Sequence, residues 1–173
     1  METSAKRNEL DELYRSHFDS MWRMARALGV PQHQLDDVVQ ETFLIALRKH
    51  EGFEGRSSLR TWLTGILVRV ATKYRRARRM DSLTSEPCDT ERQQADAAVA
   101  QTEARELLLR LLGELTEKNR QVWVLTEIEK LSAHQIAEAL GVSPNTVSSR
   151  LRLARKQLER QLTRHKAREG YRR

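Results

Sequence analysis

The chain has 173 residues, with 31 lysines and arginines against 24 aspartates and glutamates, a formal charge of +7. That length allows one domain or two small ones, and the positive balance favours an anionic partner, either nucleic acid or an anionic membrane surface. No stretch reaches the roughly 18 apolar residues of a bilayer span and the N-terminus lacks a signal-peptide core, so the expectation is a cytoplasmic protein without membrane insertion. The single cysteine, Cys88, excludes an internal disulfide, and His17, His33, His50, His134 and His165 lack paired metal-site spacing. No metal or cofactor is expected.

Only three prolines and seven glycines interrupt the chain, so long amphipathic stretches dominate and the expected fold class is all-α. The first stretch carries Leu10, Leu13, Tyr14, Phe18, Met21, Trp22, Ala25 and Leu28 on one helical face and ends at Gly29 and Pro31. The second places Leu35, Val38, Val39, Phe43, Ala46 and Leu47 in one apolar stripe, with Asp36, Asp37, Gln40 and Glu41 on or beside its solvent side. After a loop from His50 to Ser57, a third helix begins near Ser58 as N-cap and runs through Leu59, Leu63, Ile66, Val70 and Tyr74. Between Arg69 and Arg79 it carries six basic residues and no acidic one.

The charge then reverses. From Asp81 to Glu103 there are six acidic residues and one arginine, Arg92, with Pro87 and little apolar periodicity, so residues 81–102 read as a flexible acidic linker. It divides the chain into two small helical domains, 1–80 and 103–173. In the second, Leu107, Leu108, Leu111, Leu112 and Leu115 share one helix, and Val122, Leu125 and Ile128 the next. Ser132 then caps a short helix bearing Ile136, Ala137 and Leu140, Gly141-Val142-Ser143 makes a tight turn, and Pro144 sits in the first turn of a long helix. That order is a helix-turn-helix.

On the long helix Val147, Leu151, Ala154, Leu158 and Leu162 form the expected buried stripe. At 100° per residue, Asn145, Ser149, Arg152 and Lys156 lie opposite it, with Ser148 and Arg155 on a flank. Arginine and asparagine can make paired hydrogen bonds to base edges, while serines and a helix N-terminus contact phosphate. Arg150 to Arg173 carries ten lysines or arginines against two glutamates, a bias that solvated helices rarely show. Eleven residues follow Leu162, too few for a sensory domain, and the basic tail from Arg164 to Arg173 can touch DNA backbone.

The run Asp37-Val38-Val39-Gln40-Glu41-Thr42-Phe43, followed by Gly55-Arg56-Ser57-Ser58-Leu59-Arg60-Thr61-Trp62-Leu63, resembles the first domain of extracytoplasmic-function sigma factors, group IV of the sigma-70-like family. Leu131-Ser132-Ala133-His134-Gln135-Ile136-Ala137-Glu138, then Thr146-Val147-Ser148-Ser149-Arg150-Leu151 and Ala154-Arg155, resembles the promoter-reading domain of the same family. The resemblance implies an RNA polymerase sigma factor that binds core polymerase and recognises and melts promoter DNA. It implies that Asp36, Asp37, Gln40 and Glu41 bind the β′ clamp helices, and that the third helix takes the separated downstream element through Arg60, Trp62, Arg69, Lys73 and Arg76. It further implies that Asn145, Thr146, Ser148, Ser149, Arg152, Arg155 and Lys156 read the duplex upstream element while the second domain meets the β flap. A linker threading the polymerase cleft and control by an anti-sigma factor also belong to the resemblance.

Trp62, Arg69 and Arg76 fall at i, i+7 and i+14, so one flank offers an aromatic ring and two cations to a single strand. Trp62 also sits close to the apolar stripe, so core packing remains an equal reading. The chain departs from the family pattern at Gly65 and Arg69, where many members carry arginine and asparagine, and at Ser148 and Leu153, often basic elsewhere; its promoter preference is expected to be its own. Neither a Gly-rich phosphate loop nor a histidine-carboxylate pairing points to an enzyme. A conventional helix-turn-helix regulator of duplex DNA is the alternative, but it would need a ligand-binding or dimerisation domain first, and residues 1–80 resemble neither.

Overall fold

The computed structural model describes residues 2–55, 57–81 and 99–170, and among them the elements are helices and turns without a strand. The carboxylates of the linker between 82 and 98, Cys88, Arg56 and residues 171–173 lie outside the described residues, as do the side chains of Leu10 and Leu13. α1 (Glu2–Ala27) ends at Gly29, whose φ of +89° suits glycine. A 3-10 turn (Gln32–Gln34) leads into α2 (Leu35–Lys49), and a second turn (His50–Gly52) and a loop lead to α3 (Leu59–Asp81). As expected, Ser58 caps α3: its Oγ accepts from the Thr61 amide at 3.1 Å.

Met21 and Met24 of α1 and Leu28 just after it meet Leu35, Val38, Val39, Phe43 and Ala46 of α2 and Leu63, Leu67 and Val70 of α3 in one buried core. Thr42 joins this core because its hydroxyl donates to the Val38 carbonyl at 2.7 Å, meeting its polar requirement within the helix. Leu47 corrects the expected stripe. It is 47% exposed, because it lies about 100° around α2 from the stripe's centre, beyond the reach of α1 and α3.

The second half contains α4 (Val99–Glu114), α5 (Glu117–Trp123), a π-helical turn (Val124–Ile128), α6 (Ala133–Leu140) and α7 (Pro144–Gly170). α4 opens inside the segment read as linker, since Ala100, Gln101, Glu103 and Ala104 are good helix formers. Ser132 and Gln135 form a capping box: the Ser132 Oγ accepts from the Gln135 amide at 3.3 Å, and the Gln135 side chain accepts from the Ser132 amide at 2.8 Å. Gly141 takes a left-handed φ of +65°, and Ser143 accepts from the Thr146 amide at 3.2 Å to start α7. Ser132→Ala removes half of that box and should destabilise the fold by about 1 kcal/mol, read as a lowered calorimetric midpoint; an unchanged midpoint would assign the turn's stability to packing alone.

Val147 and Ala154 of α7 are buried and Leu151 and Leu158 are half-buried, as the periodicity predicts. Leu162 is 37% exposed and Gln161 is buried in its place. Towards its C-terminal end α7 is flanked by α4 on the Gln161 side, where the Gln161 Nε2 donates to a Glu114 carboxylate at 2.9 Å and the Gln157 Nε2 to the Glu114 carbonyl at 3.1 Å. The helix thus turns a polar residue towards a polar helix end.

The two halves also pack on each other, chiefly through α3 and α6, and their apolar residues form one continuous cluster. A buried arginine crosses between them: Arg120 of α5 donates to the carbonyls of Leu28 at 3.1 Å, Gly113 at 2.7 Å and Leu115 at 3.1 Å. A Cβ at Gly29 would collide with this guanidinium, so the glycine at the end of α1 both turns the chain and admits Arg120. Burial, then the charge of Arg75, lowers the Arg120 pKa to about 10, which leaves it protonated at neutral pH.

Candidate functional site

α2 turns Asp36, Asp37 and Gln40 to solvent and leaves Glu41 half-buried. Asp36 accepts from the Trp22 indole at 3.1 Å, which ties α2 to α1. Glu41 accepts from the Lys73 ammonium at 2.9 Å; that hydrogen bond holds the Glu41 carboxyl below its usual range and raises the Lys73 pKa. Leu44 and Leu47 are each 47% exposed, and with Asp37 and Gln40 they make a line at i, i+3, i+7 and i+10 along the outer face. A mixed acidic and apolar strip of this kind offers a protein partner both charge and area to bury. Sequence reading missed Leu44 and assigned Leu47 to the core; the signal was their angle from the stripe.

α3 presents a second surface. Arg69 and Arg76 are exposed, and Trp62 is half-buried with its ring 5.0 Å from that of Phe53, so it both packs against the core edge and shows one side to solvent. The expected flank of Trp62, Arg69 and Arg76 is therefore assembled. Two of the other cations are engaged: Lys73 is bound to Glu41, and the Arg60 Nη2 is bound to the buried Glu129 carboxylate at 2.7 Å. A phosphate that takes either cation must displace a carboxylate first.

The third surface lies on α7. Asn145, Ser148, Ser149, Arg152 and Lys156 are exposed, as expected from their place opposite the buried stripe, and Leu153 is 49% exposed beside them. Thr146 is half-buried and its hydroxyl shares a hydrogen bond with Ser143 at 2.9 Å, which spends it on the turn. Arg155 grips Glu127 of the π-helical turn through Nε at 3.1 Å and Nη2 at 2.6 Å, so its guanidinium is oriented from behind. Ser148, Leu151, Arg152, Arg155, Lys156 and Glu159 line a shallow cleft along this face.

The sigma-70 region 2 family matches residues 13–80 and the sigma-70 region 4 family residues 105–158. The chain belongs to the extracytoplasmic-function sigma factors. RNA polymerase sigma factor YlaC of Bacillus subtilis is 30% identical over 175 residues, covering 94% of this chain and 97% of the relative. ECF RNA polymerase sigma factor SigE of Mycolicibacterium smegmatis is 31% identical over 160 residues, covering 90% of this chain and 62% of the relative. Among solved structures, CnrH in complex with the cytosolic domain of CnrY is 27% identical, with a TM-score of 0.71 over 91% of this chain and 89% of that one. This is an RNA polymerase sigma factor, acting in transcription initiation with core polymerase and promoter DNA as partners. No described helix is long and apolar enough to cross a membrane.

Proposed function

We propose that this sigma factor divides its work among the three surfaces. Residues 1–80 dock on core polymerase through the α2 face centred on Asp37 and Gln40 and hold the melted downstream strand along Trp62, Arg69 and Arg76. Residues 103–173 read the duplex upstream element through Asn145, Ser149, Arg152 and Lys156, with Ser148 and Arg155 at the edge. The intervening linker lets polymerase set the distance between the two elements. Catalysis stays with the polymerase, the protein works in the cytoplasm, and an anti-sigma factor controls its release.

The observation that supports this reading best is the segregation of chemistry by helix. The strip of Asp37, Gln40, Leu44 and Leu47 sits on α2, whereas Arg69 and Arg76 are exposed on α3 and Arg152 and Lys156 on the outer face of α7. A protein partner and a nucleic acid can thus be held at once without competing.

Transcription by purified core polymerase, with and without this sigma factor, on promoters recovered by selection tests the assignment. Promoter-specific initiation should require the chain. Arg152→Ala should weaken upstream-element binding by about tenfold, the value of one paired base contact, and relax the selected sequence at one position. A uniform loss with an unchanged selected sequence would reassign Arg152 to phosphate.

A further inference from the structure

Glu127 carries no role in the functional assignments above, yet it grips one of the cations on the edge of the α7 face. It lies in the π-helical turn Val124–Ile128, closed by the Glu129 amide donating to the Val124 carbonyl at 3.2 Å. Such turns are rare and interrupt regular helical bonding, so one that persists is held by its surroundings. Here Val124 and Leu125 are buried and the Thr126 hydroxyl donates to the Val122 carbonyl at 2.8 Å, which leaves Glu127 half-buried beside α7.

A single oxygen, the Glu127 Oε1, accepts from the Arg155 Nε at 3.1 Å and from its Nη2 at 2.6 Å. Both bonds use one edge of the guanidinium, so Nη1 and the second N–H of Nη2 remain side by side on the other edge. The two side chains are 59% and 31% exposed, and an ion pair so open to solvent adds little to stability. What it does add is order: an exposed arginine otherwise samples many rotamers, which a ligand must freeze on binding. Around α7, Arg155 stands about 90° from the centre of the face formed by Asn145, Ser149, Arg152 and Lys156, on the same flank as Ser148. For a helix laid in the major groove, a flank residue meets the phosphates at the groove wall rather than the base edges at its floor. Two parallel N–H groups suit two oxygens of a phosphate. Glu159, at i+4 from Arg155, lines the same cleft and offers the guanidinium another carboxylate, so Glu127 decides which way it is held.

We propose that Glu127 is a positioning residue for promoter recognition: it fixes the Arg155 guanidinium against the π-helical turn, so that the remaining edge meets a backbone phosphate at the wall of the upstream-element groove and sets the register of α7 on the duplex. Glu127 itself touches no DNA. This role rests on the proposed reading of α7 as the helix that meets the duplex.

Polymerase holoenzyme assembled with Glu127→Ala, Glu127→Gln, Arg155→Ala or the Glu127→Ala, Arg155→Ala double variant tests this on promoter duplexes carrying either the selected upstream element or a scrambled one. The readout is the ratio of the two affinities, because a general gain from removing a carboxylate near phosphates applies to both duplexes. Glu127→Ala should lower the ratio about fivefold, the ordering cost of one long side chain. Glu127→Gln keeps an acceptor oxygen without the charge and should lower it less. In the Arg155→Ala background, Glu127→Ala should cause no further loss. The thermal midpoint of the free chain and the selected promoter sequence should both stay as they are, since an exposed ion pair holds little of the fold and a phosphate contact carries no sequence information. A ratio that falls with Arg155→Ala but not with Glu127→Ala overturns the positioning role, as do equal losses for the alanine and glutamine variants or additive losses in the double variant. If Arg152→Ala lowers the ratio and Arg155→Ala does not, Arg155 leaves the DNA surface and this proposal falls while the reading of α7 stands. If neither lowers it, the reading of α7 falls as well.

Discussion

Replacing Arg120 with alanine is expected to lower the thermal midpoint by about 10 °C. The side chain donates to three carbonyls, those of Leu28, Gly113 and Leu115, and is 3% exposed. Hydrogen bonds to a charged group contribute roughly 1.5–3 kcal/mol each, and buried carbonyls left without donors add a penalty. The desolvation of the guanidinium is relieved at the same time, so a net loss of about 3 kcal/mol is expected. For a chain of this size each kcal/mol moves the midpoint by about 2–4 °C. Arg120→Lys keeps the charge but reaches fewer carbonyls, so it should fall between the two. Circular dichroism on heating reads all three proteins, and a fall of less than about 2 °C for Arg120→Ala would mean that the carbonyls find water instead.

The second large effect concerns partner binding. Asp37→Lys combined with Gln40→Ala should weaken binding to core polymerase by about a hundredfold, or roughly 3 kcal/mol, because a reversed charge now faces the partner's cations. Both residues are exposed and neither serves the packing of α2 on α1 or α3, so stability should fall by no more than about 1 kcal/mol, the cost of a cation in the first turn of a helix. Asp36 is left intact because it fastens α2 to the Trp22 indole. A pull-down with unchanged core binding would move the docking surface away from this face.

The helices, their caps and the helix-turn-helix were legible in the sequence because each depends on neighbours a few residues away. Ser58, Ser132, Gly141 and Pro144 act within their own turns, and the stripes of α2 and α7 follow from helical geometry. The outward position of Asn145, Ser149, Arg152 and Lys156 followed from the same geometry. The family, too, was readable from two linked motifs.

Other features were decided by distant parts of the chain. Leu47 and Leu162 have apolar side chains at permissive spacing, yet both are exposed, because burial depends on which neighbour covers a given arc of the helix. Arg120 meets Leu28 across 92 residues and Arg60 meets Glu129 across 69, separations that leave no periodic trace. Gly65 shows the division most clearly. Sequence alone marked it as a departure from the family pattern in the middle of a DNA-facing helix; the tertiary structure supplies its physical reason, the backbone of α6 lying where any larger side chain would stand.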